Sequence, residues 1–369
     1  MVTGRPRVRE WGLAPGSLPP GRNNGITDVA GVRVGHATLI SGHGPLRPGR
    51  GPIRTGVTVI SPHGGDLYQE KVRAAVHTIN GFGKVCGFEQ VRELGVVEAP
   101  VALTNTLNVG LVCDALIAYA VERHPAIGIS TSSVNVVVGE TNDGFLNDLQ
   151  GRHVRAEHVR GALASATSGP VPEGGVGAGT GTSCFGWKGG IGSASRLLPE
   201  EAGGFTVGAL VQANFGRAEQ LTVSGVPVGH HLRPPEAPDP RRGDGSVMVV
   251  LATDAPMTAR QLHRLCVRAG AGLARTGGIH DHGSGDFVIA FSTANRVPHA
   301  SGVLVEERSV IADEARAMRH VFPSVVEAVE EAVLNALWRA ETMVGRDGHR
   351  REALPLDEVA RVMDAAGLG

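Results

Sequence analysis

Six short runs rich in valine, isoleucine and threonine, each bounded by Gly, Pro, Asn or Asp, constrain the fold of this chain most strongly. Runs of this length and composition predict β-strands. Glycine is also unusually abundant, at 53 residues, which indicates many tight turns and close approaches of backbone. The predicted strands cover residues 32–39, 56–61, 134–139, 206–212, 246–253 and 286–293.

Helical periodicity appears between and after these runs. Residues 108–124 predict a helix ended by Pro125, and residues 323–344 carry one long apolar stripe followed by Gly345. Because strands and helices do not alternate regularly, the order predicts a layered α+β fold rather than a doubly wound parallel sheet.

A third helix is predicted from a start signal. Thr258 and Gln261 form a capping-box pattern, and apolar residues follow at helical spacing from Leu262 to Leu273. The internal stretches 161–179 and 232–245 show the weakest periodicity and predict loops.

Charge and cysteine content exclude several classes of partner. The 35 Lys and Arg nearly balance the 36 Asp and Glu without a block of one sign, which disfavours nucleic acid. No apolar run approaches the roughly 20 residues of a membrane span, and the basic N-terminal stretch lacks an apolar signal core. The four cysteines have no CxxC spacing, as is typical of reduced proteins. We expect a soluble, cytoplasmic protein that acts on a small ligand.

The junction between Gly245 and Ser246 offers a specific chemistry. A Pro-rich, charged loop, LRPPEAPDPRRGDG, runs directly into the predicted strand SVMVVLATD. If the bond before Ser246 were cut, the new α-amine, with a pKa of roughly 7.7–8.0, could accept the proton of the serine hydroxyl. Gly245 has no side chain to obstruct attack on its carbonyl. Taken alone, the dipeptide is better explained as an ordinary turn before a strand, because Gly-Ser is among the commonest pairs in loops.

Seven segments, in one order along nearly the whole chain, resemble the DmpA-like family of aminopeptidases, which includes L-aminopeptidase/D-Ala-esterase-amidases and β-aminopeptidases. They are NNGITDVAGVRVGHATL (23–39), NGFGKVCGFEQVRELGVVEAPVALTNTLNVG (80–110), VVVGETNDGFLND (136–148), GTGTSCFGWKGGIGSASR (179–196), VQANFG (211–216), GDGSVMVVLATDAPM (243–257) and HDHGSGDFVIAFSTAN (280–295).

The resemblance implies a four-layer αββα sandwich, related to ornithine acetyltransferases and to the N-terminal-nucleophile hydrolases. It implies one domain, 1–369, that cleaves itself into an α chain (1–245) and a β chain (246–369), which stay associated and form oligomers of αβ units. The expected activity is release of N-terminal residues from small peptides, amides or esters, with no cofactor and no metal.

Site residues follow from the same resemblance, position by position. Ser246 matches the nucleophile, and Asn214 matches an asparagine that helps to form the oxyanion hole. Ser284 and Asp286 match a serine and an acidic residue that contact and orient the nucleophile. Some relatives have Glu at the position of Asp286, so the shorter side chain changes the contact geometry.

Two further residues are expected to bind substrate. Glu140 matches an acidic residue associated with the free amino group of the substrate, which needs an anionic partner once it is desolvated. Some relatives have a tyrosine two residues after this glutamate that contributes to the oxyanion site. This chain has Asn142 there, which we assign to substrate binding.

Two other patterns are assigned to structure. His280-Asp281-His282 has the look of metal ligands but lacks a supporting motif. The segment GVGAGTGTSCFGWKGG lacks the context of a dinucleotide-binding loop, and its Cys184 is expected to be a buried, inert thiol.

Two other functions remain open from sequence alone. The first is acyl transfer of the ornithine-acetyltransferase type, although those enzymes have Thr at the junction. The second is a non-catalytic family member.

Overall fold

Two β-sheets with helices on their outer faces make up the part of the chain that the computed structural model describes, residues 4–235 and 245–367. The smaller sheet has the strand order β1-β2-β5-β6, and the larger has the order β4-β3-β12-β11-β10-β9. The strands are β1 Arg33–Ser41, β2 Ile53–Ser61, β3 Glu70–Gly81, β4 Val96–Val97, β5 Val101–Asn105, β6 Val137–Thr141, β7 Ser183–Cys184, β8 Trp187–Lys188, β9 Gly190–Leu197, β10 Thr206–Phe215, β11 Gly245–Thr253, β12 Gly285–Pro298, β13 Met343–Val344 and β14 Arg350–Arg351. The helices are α1 Phe88–Leu94, α2 Val109–Arg123, α3 Ala156–Ala164, α4 Ala259–Arg275, α5 Glu314–Arg339 and α6 Leu356–Ala365.

The side chains of β11 show how the layers are built. Met248 and Val250 pack between the two sheets, against residues such as Leu103 of the smaller sheet. Val247 and Val249 point to the other side and join the core that α4 and α5 form with the larger sheet. A third core lies between the smaller sheet and helices α2 and α3. The layer order is therefore αββα, which confirms the expected sandwich.

Strand ends from both sheets meet at one edge of the sandwich. In the larger sheet β10 and β11 are antiparallel and β11 and β12 are parallel, so the end of β10 adjoins the starts of β11 and β12. In the smaller sheet β5 and β6 are parallel and end together. This edge gathers residues that are far apart in the sequence.

The six predicted strands form, with shifted ends, as β1, β2, β6, β10, β11 and β12. Three strands of five or more residues, β3, β5 and β9, were missed. β3 carries charged residues and β9, GIGSASRL, is made mainly of small ones, so neither shows a clear apolar alternation. β5 follows Pro100 and is buried throughout.

The predicted helices agree less evenly with the structure. α2 confirms the prediction for 108–124, and the Thr258 side chain caps α4 by accepting a hydrogen bond from the Gln261 backbone N–H at 3.2 Å. The prediction for 323–344 was wrong at both ends. α5 begins at Glu314, runs through Pro323 and ends at Arg339.

The reason for the early start is packing. Met318 and Val321, before the proline, are buried in the core with the rest of the helix. The predicted stop at Gly345 was wrong as well, because the chain turns into β13.

The loop predictions were right only in part. The stretch 161–179 begins inside α3 and ends in a short 3-10 turn, Gly177–Gly179. Of the stretch 232–245, residues 236–244 lie outside the described residues, and Gly245 already belongs to β11. None of the helices in the described ranges combines the length and the apolarity that a bilayer-spanning helix requires.

Candidate active site

Ser246 is the second residue of β11 and is paired with a strand on each side. It pairs with Asn214 of β10 and with Gly285 of β12, and the residue is 3% exposed. Its side chain lies on the same face as Met248, because alternate residues of the strand point between the sheets. The Ser246 Oγ accepts a hydrogen bond from the backbone N–H of Asn142 at 3.2 Å. The hydroxyl therefore points into the edge where the two sheets meet.

Gly245 occupies a position where no side chain fits. Its φ is +97°, and a Cβ built on it would lie 2.2 Å from the carbonyl oxygen of Asn214 and 2.9 Å from the Cα of Phe215. L-residues rarely adopt this backbone conformation, and the contacts allow no relief. The residue before Ser246 must therefore be glycine.

The side-chain amide of Asn214 is held by one end. Its Oδ1 accepts a hydrogen bond from the backbone N–H of Ser183 at 2.8 Å. Gln212, two residues earlier on the same face, donates its Nε2 to the carbonyl oxygen of Thr104 in the smaller sheet at 3.0 Å. This face of β10 therefore points between the sheets, as Ser246 does. Since Oδ1 is occupied by the bond to Ser183, the NH2 is the group of the Asn214 side chain that remains available as a donor.

Ser284 and Asp286 are brought together, but on the opposite face of the sheet. Asp286 is the register partner of Val247, which packs towards the helices. The Ser284 Oγ donates a hydrogen bond to Asp286 Oδ1 at 2.6 Å, and both residues are buried. Within the described ranges, neither side chain hydrogen-bonds to Ser246. In the unbroken chain they adjoin the nucleophile only through the strand pairing.

His280 is a third member of this group, and its contact with Asp286 was not predicted from the sequence. Its Nδ1 lies 2.8 Å from the second carboxylate oxygen of Asp286, Oδ2. Among the described residues there is no group of three His, Cys, Asp or Glu side chains that could hold a metal ion. The histidine has a defined partner instead, which the pattern His280-Asp281-His282 alone does not reveal.

Glu140 lies at the end of β6 with its carboxylate buried. Its Oε1 accepts a hydrogen bond from the backbone N–H of Lys84 at 2.8 Å, and its Oε2 accepts one from the Thr106 hydroxyl. Burial raises the pKa of this carboxyl, and the two hydrogen bonds oppose the rise. A Cβ built on Gly83 would lie 3.2 Å from both Glu140 Oε1 and the Cα of Gly285. The carboxylate therefore lies close to the strand neighbour of Ser246.

Asn142 reaches the site through its backbone and not through its side chain. The side chain is exposed, and its Oδ1 accepts a hydrogen bond from the backbone N–H of Gly144 at 2.9 Å. The backbone N–H is the group that meets the Ser246 hydroxyl. Asn142 therefore contacts Ser246 through its backbone N–H, and its assignment to substrate binding stays a prediction.

Two charged residues beneath the site were also missed. Asp143 is 1% exposed, and burial raises its pKa to about 7. Lys188 is 0% exposed, donates to the carbonyl oxygens of Gly179 at 3.0 Å and Gly189 at 2.7 Å, and has its pKa lowered by burial to about 7. Both residues lie in segments that resemble the family, but no spacing in the sequence marks them out from the other charged residues.

Cys184 is buried as expected. Burial raises the pKa of its thiol to about 12. A thiolate nucleophile at this position is therefore disfavoured at neutral pH.

Comparison with known proteins gives matches along nearly the whole chain. The model of peptidase family S58 matches residues 24–351. The beta-peptidyl aminopeptidase BapA of Sphingosinicella microcystinivorans is 42% identical over 373 residues, which cover 97% of this chain and 92% of that protein.

Solved structures agree with this match along the full length. The PH0078 protein from Pyrococcus horikoshii OT3 is 49% identical with a TM-score of 0.92, and 98% of this chain and 99% of that one are covered. The L-aminopeptidase D-Ala-esterase/amidase from Ochrobactrum anthropi, described as a variant of the Ntn hydrolase fold, is 40% identical with a TM-score of 0.90 and the same coverage. The chain therefore belongs to peptidase family S58 and is a hydrolase with the Ntn type of fold.

Proposed function

We propose that this chain matures by cleavage between Gly245 and Ser246 and then acts as a serine aminopeptidase and amidase. The observation that carries the proposal is the placement of Ser246 directly opposite Asn214, with both side chains on the face between the sheets. This arrangement supports the proposal, because acyl transfer through a tetrahedral intermediate requires a nucleophile and a hydrogen-bond donor beside the same space.

Cleavage would begin with attack of the Ser246 Oγ on the carbonyl carbon of Gly245. The C–N bond breaks, the serine nitrogen gains the hydroxyl proton, and an ester links Gly245 to the Oγ. Water then hydrolyses that ester and leaves a carboxylate on Gly245 and a free amine on Ser246. The products are an α chain of residues 1–245 and a β chain of residues 246–369. Support comes from Gly245, whose missing side chain leaves its carbonyl open.

Turnover of substrate would use the new amine as the base. It accepts the proton of the Ser246 hydroxyl while the Oγ attacks the substrate carbonyl. The Asn214 NH2 donates to the oxygen on which negative charge develops. The leaving amine departs with the proton, and water then releases the acyl group from the Oγ.

The substrate class follows from Glu140. A buried carboxylate beside the strand neighbour of Ser246 is a suitable partner for an ammonium group. We therefore expect small peptides, amides and esters with a free N-terminal amine as substrates. The names of the relatives, a beta-peptidyl aminopeptidase and an L-aminopeptidase D-Ala-esterase/amidase, fit this class.

Two further proposals concern the state of the protein in the cell. We expect the α and β chains to stay associated and the αβ units to assemble into oligomers. We also expect a cytoplasmic location, because all four cysteines of the chain lie in the described ranges and are free thiols.

The decisive experiment is intact-mass spectrometry together with an assay on a panel of aminoacyl amides. The wild-type protein should give two fragments with their boundary between residues 245 and 246, whereas Ser246→Ala should give one inactive, full-length chain. Ser301→Ala, which changes an exposed loop serine, should behave as wild type. An active Ser246→Ala variant, or an uncleaved wild-type chain with full activity, would contradict the proposal. Turnover of acetylornithine without amide hydrolysis would favour acyl transfer.

A further inference from the structure

The buried carboxylate of Asp286 has one partner on each oxygen among the described residues. Oδ1 accepts from the Ser284 hydroxyl at 2.6 Å, and Oδ2 lies 2.8 Å from the Nδ1 of His280. Since a carboxylate can only accept, the histidine Nδ1 carries the proton in this contact. Asp286 is 1% exposed, so its carboxylate depends on these protein partners for hydrogen bonds. The two donors together fix the plane of the carboxylate.

Ser284 lies where the new amine would form. Ser246 pairs with Gly285, and the two strands run parallel. Ser284, one residue before Gly285, is therefore level with Gly245, on the amino side of Ser246. Because its hydroxyl proton is committed to Asp286, the lone pairs of its oxygen remain to accept from an N–H of the amine.

The backbone of the loop is held in an unfavourable conformation at His280. Its φ is +57°, which is uncommon for a residue other than glycine. The Asn80 side chain fixes the loop by donating to the carbonyl oxygens of Asp281 at 3.0 Å and His282 at 3.2 Å. Arg217 adds an ion pair to Asp281 at 3.0 Å. The surrounding structure thus holds an energetically costly turn that places an imidazole on Asp286.

We infer that His280 is a positioning residue for catalysis, which acts on Ser246 through Asp286 and Ser284. By donating from Nδ1 to Asp286 Oδ2, it fixes the carboxylate orientation that holds the Ser284 hydroxyl beside the amine of Ser246. This inference rests on the proposed function, in which that amine is the base. The ring itself does not touch the substrate or the reacting atoms.

Three substitutions separate the hydrogen bond from the backbone. His280→Asn keeps an N–H donor at the place of Nδ1 and tolerates positive φ. His280→Gly tolerates the positive φ but has no side-chain donor. His280→Ala has no side-chain donor and does not tolerate the positive φ. Misplacing a reacting group by about 1 Å costs about 10²-fold in rate, so we expect kcat to fall by about that factor in His280→Gly and His280→Ala. His280→Asn should retain most of the wild-type kcat, and KM should change little in all three.

The measurement is kcat and KM on an aminoacyl amide, after mass spectrometry has established how far each variant is cleaved and thermal melting that it is folded. His282→Asn, in the same loop but exposed, is the matched control and should behave as wild type. A His280→Gly variant as active as His280→Asn would overturn the inference, because the backbone alone would then matter. Variants that change KM but keep the wild-type kcat would also overturn the inference. An active Ser246→Ala variant would instead refute the proposed function itself, so the two failures are distinguishable.

Discussion

The carbonyl oxygen of the Asn214 side chain is bonded to the backbone N–H of Ser183, so its amide group cannot turn without losing that bond. This anchoring matters because an oxyanion donor is effective only when it is oriented before charge develops. The strand β10 supplies the position and the loop that contains Ser183 supplies the orientation. Asn214 is also the direct strand neighbour of Ser246 across the sheet.

Replacement of Asn214 by Asp tests this donor. The carboxylate preserves the shape and can keep the bond to Ser183, but it removes the NH2 and adds negative charge. We expect kcat to fall by at least about 10²-fold, since loss of one oxyanion donor costs about 10²–10³-fold. Steady-state kinetics on a cleaved preparation measures the effect. Unchanged kcat in Asn214→Asp would remove Asn214 from the oxyanion site.

Gly245→Ala tests the space before the nucleophile. A Cβ there would lie 2.2 Å from the backbone carbonyl of Asn214, so the start of β11 must shift away from β10. We expect no cleavage into two chains, together with a lower melting temperature, because Ala at positive φ alone costs roughly 1–2 kcal/mol.

The matched control is Gly110→Ala, on the exposed surface of α2 with no atom within 4 Å of the new Cβ. It should be cleaved normally, and in a helix it should raise the stability slightly. Normal cleavage of Gly245→Ala would show that this edge of the sheet is not packed as described.

The layered α+β class was predictable because six of the ten strands in the two main sheets show clear runs of β-branched residues with turn residues at their ends. Individual strands were harder to predict where tertiary packing, and not the local sequence pattern, decides the structure. β9 is the edge strand of the large sheet next to β10, and its small residues let α5 approach: a Cβ on Gly192 would lie 1.9 Å from the backbone carbonyl oxygen of Ala332. Sequence periodicity does not report such close contacts.

The candidate site also has parts that could be predicted from the sequence and parts that could not. Ser246, Asn214, Glu140, Ser284 and Asp286 came from a family resemblance, and the structure brings them to one edge of the sandwich. The bond between His280 and Asp286 depends on a loop with positive φ, which no spacing in the sequence signals. The role of Asn142 changed because a backbone N–H has no residue signature.

Glu140 gives a pH dependence with a definite sign. Burial raises its pKa, so the carboxylate forms at higher pH than is usual for glutamate. An ammonium ligand needs the carboxylate, and its affinity should therefore be lost as the pH falls through that raised pKa. Glu140→Gln should bind such ligands about 10- to 100-fold more weakly, the usual worth of a bond between charged groups, and without this pH dependence.

The inhibition constant of a free-amine substrate analogue, measured against pH on wild type and Glu140→Gln, checks this prediction. An N-acetylated analogue is the control, since it carries no ammonium and should not respond to the substitution. Equal affinity of both proteins for the free-amine analogue would exclude Glu140 as its partner.

Asn142 separates a backbone role from a side-chain role. Its backbone N–H donates to the Ser246 hydroxyl, whereas its side chain closes a local turn with Gly144. Asn142→Ala removes only the turn bond, worth about 1 kcal/mol, and should leave cleavage and kcat close to wild type. Asn142→Pro removes the N–H itself, and we expect slower cleavage and a lower kcat in a protein whose circular dichroism is unchanged. If Asn142→Ala lost as much activity as Ser246→Ala, the side chain would be the working group, because alanine leaves the backbone donor in place.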